Sequence, residues 1–68
     1  MANWEYLVLS LAQEYWIDST GASGKLSAKD AEEYVVRLGE LLTSYGRTGW
    51  ELVAFNYDPR TYTFKRPL

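Results

Sequence analysis

The sequence predicts an α+β fold: a small β-α-β-β domain whose three-stranded, mainly antiparallel sheet carries one amphipathic helix on one face. Three observations lead there. Residues 4–11 are a run of β-forming side chains. Residues 28–46 repeat apolar side chains at helical spacing. Residues 50–57 and 61–66 are two β-prone runs joined by a proline turn, the pattern of a hairpin. Residues 1–68 together make one domain.

The first strand, 4–11, reads Trp-Glu-Tyr-Leu-Val-Leu-Ser-Leu. Alternation sets Trp4, Tyr6 and Val8 on one face and Leu7, Leu9 and Leu11 on the other. Both faces are apolar, so both are expected to be covered. Residues 12–17, with Tyr15-Trp16-Ile17, read as an extension of this strand past a bulge, or as a short strand of their own. Residues 18–27 hold two glycines and three serines and read as a loop.

Ser27 is the expected helix N-cap, with Asp30 three residues on. The apolar stripe is Ala31, Tyr34, Val35, Leu38, Leu41, Leu42 and Tyr45. Gly46 suits a left-handed C-terminal stop. Gly39 lies inside the helix, where glycine costs about 1 kcal/mol relative to alanine, so close approach of another backbone is expected there. Asp58-Pro59-Arg60 suits a type I turn. The expected sheet order puts strand 61–66 between strands 4–11 and 50–57, leaving one face of the first strand without an internal partner.

Composition excludes several function classes. The chain has no cysteine and no histidine. It therefore has no thiolate or imidazole to bind zinc, copper or haem, no Ser-His-Asp triad and no disulfide. No metal, cofactor or catalytic residue is expected. The net charge of −2 opposes general nucleic-acid binding. No run of about eighteen apolar residues suggests a membrane span. The N-terminal Met-Ala-Asn-Trp-Glu lacks the basic start and apolar core of a signal peptide, so a cytoplasmic location is expected.

A chain this short buries only about 60% of its unfolded surface. Without a disulfide or metal, oligomerisation is the expected further source of stability, and Trp4, Tyr6, Leu7, Leu9 and Leu11 are the candidate interface. Eleven aromatic residues (Trp 3, Tyr 6, Phe 2) supply large packing surfaces. Nine of them fit strand or helix positions that packing explains; Tyr15 and Trp16 do not. Stacking residues beside cations can hold a planar anion, so Tyr15, Trp16, Lys25, Arg47 and Arg60 are candidate ligand residues. Lys25 lies in a flexible loop before the helix, where an anion is attracted. Its Gly21-Ala22-Ser23-Gly24-Lys25 spacing does not match a phosphate loop.

Trp4-Glu5-Tyr6, Val8, the leucines at 38, 41 and 42, Gly46, Gly49-Trp50-Glu51-Leu52-Val53 and Phe64-Lys65-Arg66-Pro67 form a distinctive set. Over nearly the whole chain it resembles the small bacterial and viral family catalogued as domain of unknown function 4177. The segment 13–27 is longer than in many members. The resemblance implies the fold and no activity.

The function expected is a non-enzymatic, homo-oligomeric binding or interaction module, acting through a sheet face or a surface between subunits. The alternative is an oligomer that sequesters an anionic, nucleotide-like small molecule between subunits, by analogy with small phage-encoded inhibitors of bacterial immunity. A remote third is a small hydrolase using Glu5 and Glu51 as paired carboxylates.

Overall fold

The structure, a computed structural model, describes residues 3–68. Its elements are β1 (Trp4–Ala12), β2 (Tyr15–Asp18), β3 (Ser23–Lys25), α1 (Ala31–Gly46), β4 (Glu51–Asn56) and β5 (Thr61–Pro67). The class is α+β with one helix, as expected. The sheet has five strands in the order β3-β2-β1-β5-β4, not three. All its pairings are antiparallel. β5 lies between β1 and β4, the order expected for those three.

The two extra strands come from the segment read as extension and loop. Gln13 takes a positive φ of 57°, so the chain reverses there instead of bulging, and β2 folds back on β1. Asp18 then stops β2. Its carboxylate accepts from the backbone amides of Thr20 at 2.8 Å and Ala22 at 3.2 Å, which bends the chain into β3. Ser-Gly-Lys has no β-forming composition. It is a strand only because β2 presents a free edge to it.

The helix starts at Ala31, not at residue 28. Asp30 is the N-cap, its side chain accepting from the Glu33 amide at 2.8 Å. A carboxylate favours that position more than the Ser27 hydroxyl does, because the first turn of a helix is electropositive. The left-handed residue after the helix is Gly49, at φ +92°, and not Gly46. The Trp50 amide reaches back to the Tyr45 carbonyl at 3.2 Å across that turn. The Asp58–Pro59 peptide is cis, in place of the type I turn expected.

The core lies between α1 and one face of the sheet. It holds Leu7, Leu9 and Leu11 of β1, Tyr62 and Phe64 of β5, Leu26, and Tyr45 of the helix. The register sets Leu7 against Phe64 and Leu9 against Tyr62. The Tyr45 and Phe64 rings stack at 5.1 Å. Tyr34, Leu38, Leu41 and Leu42 pack on this cluster, half-buried. Ala31 and Val35, assigned to the same stripe, are exposed. The helix therefore rests on a narrower line of residues than its sequence suggests. Outside the surrounding turns of its own helix, no described residue comes within 4 Å of the place a Cβ on Gly39 would take, so the backbone expected against it is not found among the described residues.

The fold is extended for its mass. Its radius of gyration is 12.5 Å, against about 11 Å for a compact domain of this length. Its accessible surface is 4878 Å², against about 4,400 Å².

Candidate functional site

Only one face of β1 is covered by the chain. Leu7, Leu9 and Leu11 are 2%, 0% and 5% exposed. These three were assigned to the interface together with Trp4 and Tyr6, and the structure places them in the core instead. Alternation had separated the two sets, and the helix took the leucine side.

The uncovered face carries Trp4, Tyr6 and Val8. The pairs Ser10–Ile17 and Ala12–Tyr15 bring Ile17 and Tyr15 of β2 onto it. All five large side chains are exposed, Tyr6 most at 63% and Trp4 least at 39%. They make a stripe that follows β1 and steps over to β2. Thr61, Thr63 and Lys65 of β5 flank it, because the register sets them opposite Ser10, Val8 and Tyr6.

Each end of the stripe has an aromatic ring under a lysine. The Lys65 ammonium lies 4.2 Å from the centre of the Trp4 ring. The Lys25 ammonium lies 5.7 Å from the centre of the Tyr15 ring. Each lysine also has an acidic neighbour. Lys25 bridges to Glu14 at 3.5 Å, and Glu51 is the cross-strand partner of Lys65. Both ends are therefore near neutral and partly apolar, which suits them to being covered.

The five residues named for a ligand do not converge. Tyr15 and Lys25 are neighbours on the uncovered face. Trp16, next in the chain, points to the opposite face and packs on the core. Its ring lies over Gly24, its cross-strand partner, and a Cβ there would meet indole atoms at 2.8 Å. Arg60 donates to the Tyr34 hydroxyl, 2.5 Å away, and that hydroxyl donates to the Gln13 carbonyl at 3.2 Å. Arg47 is the helix C-cap and borders a shallow depression of about 470 Å³ with Val36, Gly39, Glu40 and Thr43.

Glu5 and Glu51 are also separated. β5 lies between their strands, and their partners on it are the adjacent residues Arg66 and Lys65, which face opposite sides. Glu5 accepts from Arg66 at 2.8 Å. Arg66 also stacks on the Trp50 ring at 4.2 Å and donates to the Thr48 carbonyl at 2.9 Å. These contacts hold the end of β5 against the turn that follows the helix.

Two residues that sequence reasoning left in a loop prove structural. Leu26 is buried in the core, and Asp18 is the only buried charged residue among those described. Burial works to raise the Asp18 carboxyl. Hydrogen bonds from the Thr20 and Tyr45 hydroxyls and from the Thr20 and Ala22 amides outweigh it and hold the group below its ordinary range. Burial, with Asp18 beside it, pushes the Tyr45 phenol well above its ordinary range. Both groups are spent on each other and on the turn.

Among the described residues, no cluster of three or more His, Cys, Asp or Glu is placed to hold a metal ion. Among the same described residues, no helix is long and apolar enough to cross a membrane. No family model, curated protein or solved structure matches the chain.

Proposed function

We propose that this chain is a non-enzymatic interaction module that forms a homo-oligomer through the uncovered face of its sheet. The observation that carries this is the continuous stripe Trp4, Tyr6, Val8, Ile17 and Tyr15, exposed on a chain of only 68 residues. Contiguous exposed apolar surface of this extent marks interaction sites in soluble proteins. The open shape supports the same reading, since a second layer on that face would complete a two-sided sheet.

Size-exclusion chromatography with light scattering tests it. The expected mass is at least twice the 7.8 kDa of the chain. Tyr6→Glu should return it to the monomer mass without unfolding it, because Tyr6 is exposed and its cross-strand neighbour is Lys65. A wild-type chain that elutes as a monomer would remove the proposal.

A second reading is the sequestration of an anionic, nucleotide-like ligand between copies. The pairing of Tyr15 with Lys25 on the same face favours it. Thermal shift against a nucleotide panel tests it: a ligand at 100 times its Kd adds about 2.7 kcal/mol per site. No shift across the panel would remove it.

A further inference from the structure

We infer that the sheet faces of two copies meet across a two-fold axis that turns the stripe end for end, so that the Trp4 end of one copy lies on the Tyr15 end of the other. The inference rests on the sheet-face oligomer proposed above and adds its geometry. It follows from a symmetry within the stripe. Trp4 under Lys65 stands at one end, Tyr15 under Lys25 at the other, and Val8 at the middle. In an isologous interface residue i of one copy meets residue j of the other and j meets i, and a stripe with a ring at each end and Val8 at its middle can meet its own reverse in that way.

Area and charge both point to a second copy as the occupant. The five side chains expose on the order of 500 Å². A standard interface needs about 800 Å² from each partner, and the half-buried Thr61, Thr63 and Lys65 and the exposed Lys25 at the rim of the stripe add to the apolar area. The two lysines and the two glutamates at the ends cancel. Two copies can thus meet on this face without like-charge excess, although each chain carries −2 overall.

Packing selects the reversed orientation. Laid like on like, the bulkiest side chains would meet themselves, Trp4 on Trp4 and Tyr6 on Tyr6, while Val8 at the middle meets Val8 in either orientation. Turned end for end, Tyr6 lies on Ile17 and the indole lies on the smaller phenol ring, so bulk is evened along the stripe. The stripe steps sideways by one strand over the length of β1. Aligning the two stripes therefore crosses the strands of the two sheets at a shallow angle in either orientation, as in aligned sandwich packing.

The chain has no cysteine, so single-cysteine variants report only the contacts they are placed to test. In the reversed arrangement the two copies of Thr63, flanking Val8, face each other across about one sheet spacing of 10 Å, while the two copies of Ile17 are drawn apart. Laid like on like, the two swap roles. A bismaleimide spanning about 10 Å should therefore convert T63C to a covalent dimer and leave I17C as single chains. An I17C that links while T63C does not overturns the reversed geometry and leaves the sheet-face oligomer standing. The same holds for a T63C that fails to link in a dimer dissolved by Tyr6→Glu. A monomer in light scattering, or a dimer that Tyr6→Glu leaves intact and T63C does not link, overturns both.

Discussion

The Tyr45 phenol donates a 2.6 Å hydrogen bond to the buried Asp18 carboxylate. The two residues are 27 positions apart, and the bond ties the last turn of α1 to the turn between β2 and β3. Tyr45 also stacks on Phe64, so one side chain joins the helix to both halves of the sheet. Tyr45→Phe keeps the stack and removes the bond. A hydrogen bond to a charged group contributes about 2 kcal/mol, and the unfolding midpoint in urea should fall accordingly at fixed protein concentration. Asp18→Ala should cost more, about 3 kcal/mol, because the Thr20 and Ala22 amides lose their acceptor as well. A Tyr45→Phe variant as stable as wild type would show that the bond contributes nothing.

Asp18 also sets a pH dependence. Its carboxyl is held below the ordinary range in the fold, whereas in the unfolded chain it titrates near about 3.9. The folded form is thus favoured by the anion. That stabilisation is complete above the unfolded value and is lost as pH falls through the folded one. The stability gap between wild type and Asp18→Asn should have its full width from about pH 5 upward and shrink steadily on acidification below that. A gap that stays constant across that range would mean that Asp18 is not the titrating group.

Gly24 is required by Trp16. The indole occupies the space that a Cβ at position 24 would need. Gly24→Ala should therefore cost about 1–2 kcal/mol by displacing the ring from the core. In a double-mutant cycle with Trp16→Leu most of that cost should disappear, since the smaller side chain leaves room. Strictly additive losses would place the cause in the backbone and not in the ring.

Gly39 predicts the opposite sign. It lies inside α1 with nothing near its Cβ position. Gly39→Ala should raise stability by about 0.5–1 kcal/mol through helix propensity alone, read as a higher Tm. It should leave the oligomer mass unchanged, because the proposed interface is on the far side of the sheet. A loss of mass in light scattering would instead show that a second chain packs against the helix at that glycine.

Much of the fold was legible in local patterns. The amphipathic stripe marked the helix to within three residues at its start, because the spacing of Tyr34, Leu38, Leu41 and Tyr45 is a property of neighbours in the chain. The hairpin of β4 and β5 was equally visible from alternation around Asp58-Pro59. β3 was not visible, since Ser23-Gly24-Lys25 has no strand propensity and pairs only because β2 has already folded back. Leu26 and Asp18 were read as loop for the same reason: their partners, Tyr45 and the β1 leucines, are remote in sequence.

The candidate surface divides in the same way. The sequence alone determined that β1 has two apolar faces, because side chains alternate along any strand. It also determined that no cysteine or histidine chemistry is available to the chain. Which face the helix covers, and therefore that Leu7, Leu9 and Leu11 are core while Trp4, Tyr6 and Val8 face outward, was decided only by tertiary packing. The same packing separated Tyr15 from Trp16 and joined Tyr15 and Ile17 to the open stripe. One helix with one narrow apolar line covers the β1 and β5 part of one sheet face, and it leaves the other face of β1 open.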